Sequence, residues 1–253
     1  MRYLIIFFVL IATGCSTDDS LAFAATENPE ENPTDTDDGD TKDHPKVNTD
    51  GAYTYLALGD SYTIGQSVCT SCSFPLQLAE AFQDQTRKEL QTKIVATTGW
   101  RTDNLIEAVK NEDLKNTYDL VTLLIGVNNQ YQAKPFSQYE TEFVKLLQSA
   151  IDLAAGNKDK VVVLSIPDYA FTPFGQQFNN PEEISLELDT YNAYAKSISK
   201  DLEITFLNIT DITRRGLDQP NLVASDGLHP SAEAYRLFVE RLLPLVETKL
   251  VKD

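Results

Sequence analysis

The sequence predicts an α/β protein, a three-layer α/β/α sandwich around a five-stranded parallel sheet. Two observations point there. Between residues 51 and 253, short apolar runs rich in β-branched and aromatic residues alternate with amphipathic segments of helical period. Each run ends in a Gly, Asn, Pro or Asp, and five such runs alternating with helices point to a parallel sheet covered on both faces.

The elements follow in order. Strands are expected at 53–58 (YTYLAL), 91–97 (QTKIVAT), 119–125 (DLVTLLI), 160–166 (KVVVLSI) and 204–209 (ITFLNI). Helices are expected at 74–87, 101–110, 136–155, 182–201 and 231–250, where apolar side chains recur three or four residues apart. In open sheets of this class, ligands bind beyond the carboxyl ends of the strands, near the point where strand order reverses. Chemistry therefore belongs in the polar segments that follow the strands: GDSYT, TGWRT, GVNNQY, PDYAFTPF and TDITRR.

Ahead of this domain, residues 1–14 (MRYLIIFFVLIATG) have the layout of a removable export signal. One Arg precedes an apolar run of about ten residues, short of the roughly 20 that span a bilayer. Ala12-Thr13-Gly14-Cys15 resembles a bacterial lipobox, which implies acylation of Cys15 and anchoring to the cell envelope through its lipid chains. Secretion with Cys15 unmodified is the alternative. Residues 15–50 are rich in Asp and Glu and poor in large apolar side chains, the composition of a disordered tether. The DTDDGD run within it lacks the ligand spacing of an EF-hand calcium loop. Across the chain, 38 Asp and Glu against 21 Lys and Arg give a net charge of −17. That balance argues against nucleic acid and anionic lipid headgroups as partners, and favours a neutral or zwitterionic substrate.

The candidate nucleophile is Ser61, in LGDSYTIG. Gly, Asp and Ser are also ordinary turn residues, so a base must be found elsewhere. The chain has two histidines. His44 lies in the tether, which leaves His229, in DGLHPS, as the one available to a rigid site. Asp226 precedes it by three residues, close enough to orient the imidazole and stabilise its cation. No P-loop or Gly-rich dinucleotide fingerprint appears, and Ser61 lacks the Gly-x-Ser-x-Gly frame. No cofactor or metal is expected. Cys69 and Cys72 form CTSC just after Ser61. A zinc site would lack two nearby ligands, and a redox pair would lack its preceding strand. A small disulfide suits an exported protein. Tyr131, Tyr169, Phe171, Phe174 and Phe178 follow the third and fourth strands, where they either line a substrate groove or pack the loops down.

Four ordered blocks carry a resemblance to the SGNH, or GDSL-type, hydrolases of the esterase and lipase class. They are Gly59-Asp60-Ser61, Gly99, Gly126-Val127-Asn128 and Asp226-Gly227-Leu228-His229-Pro230, within residues 53–246. The resemblance implies a flavodoxin-like sandwich in which Ser61 attacks an ester carbonyl, His229 shuttles the proton and Asp226 orients it. It also implies an oxyanion hole from the backbone N–H groups of Ser61 and Gly99 and the side-chain amide of Asn128. The implied substrate is a lysophospholipid, a simple ester or an O-acetylated carbohydrate. A surface carbohydrate- or lipid-binding protein on an inactive hydrolase fold is the rival. One departure stands out: the third block is commonly Gly-x-Asn-Asp, and residue 129 here is Asn.

Overall fold

The computed structural model describes residues 51–251, so the export signal, Cys15 and the tether lie outside the described residues. Five strands, β1 (Tyr53–Gly59), β2 (Leu90–Ala96), β3 (Leu120–Leu124), β4 (Val161–Leu164) and β5 (Thr205–Leu207), form one parallel sheet in the order β2-β1-β3-β4-β5. β1 ladders with β2 from Tyr53↔Leu90 to Gly59↔Ala96, and with β3 from Tyr55↔Leu120 to Gly59↔Leu124. The chain steps outward from β1 to β2, then crosses back to β3 on the other side of β1. Strand order therefore reverses between β1 and β3, and a crevice opens beyond their carboxyl ends.

The long helices are α2 (Phe74–Thr86), α3 (Thr102–Asn111), α5 (Phe136–Leu153), α6 (Pro181–Asp201) and α8 (Ala232–Leu250). Three short ones, α1 (Ser61–Ile64), α4 (Val127–Tyr131) and α7 (Thr210–Thr213), follow β1, β3 and β5. α2 packs on α8, with Phe74 and Tyr235 rings 6.4 Å apart and Gln77 Nε2 donating to Ala232 O at 3.0 Å. α3, α5 and α6 pack as a row, joined by rings of α5 and α6 such as Tyr139 and Tyr191, 4.5 Å apart. The sheet lies between these groups. Tyr55, Leu56, Ala57 and Leu58 are successive residues of β1, and all are fully buried, as a strand covered on both faces requires.

β3, β4 and β5 are shorter than their apolar runs, whereas β1 extends one residue past its run and β2 begins one residue earlier than expected. β4 stops at Leu164 because Ser165 turns its hydroxyl to the next crossover, where Oγ accepts from Ile209 N at 2.8 Å and Thr210 N at 3.1 Å. β5 ends at Leu207 as the chain bends to meet that hydroxyl. The last helix begins one residue later than expected: Ser231 is its cap, with Oγ accepting from Ala234 N at 3.2 Å.

Candidate active site

Asp60 follows β1 and caps α1, its Oδ1 accepting from Tyr62 N at 3.0 Å. That cap turns the chain sharply and makes Ser61 the first residue of α1, so its N–H lies beyond the helix's own ladder. After β3, Gly126 makes the corresponding turn at φ 129°, and a Cβ there would meet the Tyr139 ring at 2.6 Å. Only glycine fits, and α4 then presents Asn128. After β2, Gly99 lies at φ 81° with nothing within 4 Å of where a Cβ would stand, so its backbone is open to a close approach.

Side chains hold this loop. Gln132 Nε2 donates to Gly99 O at 3.0 Å, and Arg101 Nη1 donates to Gln132 Oε1 at 2.6 Å. Asn128 Nδ2 donates to Trp100 O at 3.0 Å, which fixes the amide plane and leaves a second N–H to offer. Asn129 is fully buried, accepts from Thr102 N at 3.0 Å and donates to Thr102 Oγ1 at 2.7 Å. Thr102 Oγ1 in turn donates to Glu142 Oε2 at 2.5 Å. Asn129 thus ties the start of α3 to α4, and the Asn found where Asp is common has a structural reason. Its amide donates to an oxygen whose own hydrogen is already given to a carboxylate.

His229 arrives from the far end of the domain on a turn closed by the Val223↔Pro230 bridge and by Ala224 N donating to His229 O at 2.7 Å. Asp226 sits at the tip of that turn, Oδ1 accepting from Leu228 N at 2.9 Å and His229 N at 3.0 Å. Its Oδ2 lies 2.6 Å from His229 Nδ1 and also accepts from Ser67 Oγ at 2.7 Å. The pairing places the proton on Nδ1 and leaves Nε2 a free base. Burial alone would raise the Asp226 carboxyl. The Ser67 hydroxyl, the imidazole and the two backbone N–H groups instead hold it well below the carboxylate range, so it stays ionised beside His229.

Ser61, Gly99, Asn128 and His229 line one cavity of about 230 Å³, together with Tyr62, Val127, Tyr131, Tyr169, Phe174 and Leu228. Ser61 and His229 are both buried. Among the described residues no hydrogen bond joins Ser61 Oγ to the imidazole, and contacts of this kind tighten when substrate binds. Of the aromatics singled out from sequence, Tyr131, Tyr169 and Phe174 border the cavity. Phe178 packs behind them, 6.3 Å from Tyr131. Phe171 is elsewhere: its ring lies under the Arg214 guanidinium, 5.9 Å away, and packs against the core. A disulfide joins Cys69 and Cys72 across Cα atoms 5.0 Å apart, in the loop that presents Ser67 to Asp226.

Asp60 is fully buried, and that burial pushes its carboxyl up to about 7, against the opposing pull of Tyr62 N–H and the nearby Asn128 amide. Among the described residues its Oδ2 finds no hydrogen-bond partner. Sequence reasoning missed the supports Ser67, Gln132 and the Asp168–Arg214 pair, and met Asn129 only as a departure from the family pattern. The buried Asp168 carboxylate accepts from Arg214 Nε at 2.9 Å and Ser185 Oγ at 2.6 Å, bracing the loop that carries Tyr169 and Phe174. The acid before Tyr169 and the two arginines after α7 were visible in the sequence, but nothing in it paired Asp168 with Arg214.

Fold and site together define a class: a parallel α/β/α protein with a serine, a histidine–carboxylate pair and amide donors gathered at the switch point of the sheet. The chain belongs to the GDSL-like lipase/acylhydrolase family, whose sequence model matches residues 57–237, and is a hydrolase of that family. No curated protein matches the chain. Among solved structures, it is similar to a lipase/acylhydrolase from Enterococcus faecalis at 16% identity, covering 79% of this chain and 98% of that one with a TM-score of 0.63. A member of the lipolytic G-D-S-L family from Veillonella parvula is 17% identical, with coverage of 76% and 97% and a TM-score of 0.60. An acetyl xylan esterase variant from Geobacillus stearothermophilus is 15% identical, with coverage of 80% and 99% and a TM-score of 0.57. At such identities the likeness shows the fold alone.

Proposed function

We propose that the protein is a serine ester hydrolase that forms an acyl-enzyme on Ser61 and resolves it with water. The observation that carries this reading is the convergence of Ser61, the 2.6 Å His229–Asp226 pair, Gly99 and Asn128 on one cavity. His229 Nε2 takes the hydroxyl proton as Ser61 Oγ bonds to the ester carbonyl carbon, and Asp226 balances the imidazolium that forms. The carbonyl oxygen becomes an oxyanion facing the N–H groups of Ser61 and Gly99 and the Asn128 amide, whose donors do not titrate. Collapse breaks the bond to the alcohol oxygen, which takes the proton from His229. Water then repeats the sequence, releasing a carboxylic acid and freeing Ser61.

The lipobox-like run ending at Cys15 supports a cell-envelope location through a lipid anchor, with the acidic residues 15–50 as tether. A fluorophosphonate probe is expected to label Ser61, and Ser61→Ala is expected to lose both the label and hydrolysis of p-nitrophenyl acetate. An unlabelled wild-type serine would favour the rival reading, a binding protein on the same fold.

A further inference from the structure

A second space adjoins the cavity at Ser61. On the far side of Tyr131 and Tyr169, which wall both spaces, an open groove of about 530 Å³ runs between α4 and α6. Its chemistry differs from that of the cavity. Two exposed rings, Tyr131 at 50% and Phe178 at 37% exposure, stand beside Lys134, Asn180, Glu187 and Thr190. The walls are held in place: Gln130 accepts from Tyr169 OH at 2.9 Å and donates to Glu187 Oε2 at 2.7 Å. Lys134 is anchored by its backbone N–H donating to Asn129 O at 2.8 Å, and its ammonium pairs with no carboxylate among the described residues.

We propose that this groove binds the carbohydrate of an O-acylated glycan while the small cavity at Ser61 takes the acyl group. The inference rests on the esterase reading above and gives it a substrate class. A space of about 230 Å³ is below the range of roughly 300 to 1,000 Å³ that encloses drug-sized ligands, which suits a short acyl group. A long acyl chain would have to continue into the groove, and there it would strip water from Lys134 and Glu187 without replacing their hydrogen bonds. A polyanion is no better served, because Glu187 lines the groove along with Lys134 and the chain carries a net −17. A sugar answers both halves of the lining. Its C–H face lies on Tyr131 or Phe178, its hydroxyls donate to Glu187 and Asn180, and they accept from Lys134 and the Asn180 amide. The reaction balances as glycan ester plus water giving glycan hydroxyl plus carboxylic acid.

Calorimetric titration of Ser61→Ala with xylohexaose and with cellohexaose tests the groove without turnover. Binding of at least one is expected, weakened fivefold or more by adding Lys134→Ala and Asn180→Ala and unmoved by adding Leu186→Ser, whose side chain is 68% exposed on α6 and is not part of the groove lining. In the active protein, the same pair of groove substitutions is expected to lower the ratio of kcat/KM for the chemically acetylated oligosaccharides to that for p-nitrophenyl acetate about tenfold. Absence of binding by both sugars, an unchanged ratio, or preference for a decanoyl over an acetyl ester would overturn the proposal. Failure to hydrolyse any ester would instead sink the esterase reading, and the binding isotherms would still judge the groove.

Discussion

At the scale of single residues, the candidate site gathers amide donors and one histidine–carboxylate pair around the cavity that Ser61 lines. Asn128 illustrates how little freedom remains: one hydrogen of its amide is committed to Trp100 O at 3.0 Å, so only the other can meet an oxyanion. On the proposed mechanism this donor acts on charge that exists only in the transition state, so for Asn128→Ala steady-state kinetics should show kcat falling by about 10² to 10³ with KM nearly unchanged. A rise in KM at constant kcat would contradict that role. Asn129 makes a different point. Replacing it with Asp removes the donor to Thr102 Oγ1 and buries a second carboxylate near Glu142, so Asn129→Asp is expected to lower Tm, more at pH 8 than at pH 5. An unchanged melt would show that the amide is not needed there. The motif residues were legible because they lie in recognisable blocks. Ser67 was not, because its partner Asp226 is 159 residues away and only the fold brings them together.

At the scale of elements, legibility followed length. The long helices and five strands announce themselves through repeated apolar spacing, whereas α1, α4 and α7, of four or five residues, complete too little of a period to register. Yet α1 and α4 are the elements that carry Ser61 and Asn128. Their geometry comes from caps and turns: Asp60 at the start of one, Gly126 before the other. The Cys69–Cys72 bridge steadies the segment between α1 and α2. Because it closes a loop of only about four residues, the chain-entropy contribution is about 2 kcal/mol, less than for a long-range bridge. Reduction should therefore lower Tm by about 4 to 8 °C in a domain of this size, measured by thermal melts with and without a phosphine reductant. No change in Tm would mean that the loop is held by its other contacts, Ser67 to Asp226 among them.

At the scale of the whole molecule, two carboxylates at the active crevice pull stability in opposite directions with pH. Asp60 has a folded-state value raised to about 7, so its protonated form is favoured by folding. Its contribution is fully present below the ordinary carboxylate range and is lost as pH rises towards and through 7. Asp226 is depressed, so its contribution is present above the ordinary range and is lost as acid protonates it, though partial exposure moderates the effect. Between them they favour a maximum of stability in mildly acidic solution. Asp60→Asn keeps the cap acceptor for Tyr62 N and removes the buried charge. It should raise Tm at pH 8 by more than at pH 5, and equal shifts at the two values would refute the assignment.

The crevice also has an order of completion built into it. Ser61 belongs to the first elements of the described chain, while Leu228 and His229 come just before α8, and α8 is fixed by packing on α2, where Gln77 reaches Ala232 O. A polypeptide emerging amino end first, from a ribosome or through an export channel, therefore carries its serine for most of its journey with no imidazole beside it. On the proposed mechanism, such a chain stays inert until its final helix docks. A truncation that removes only that helix would leave the nucleophile in place and take away the support of its base.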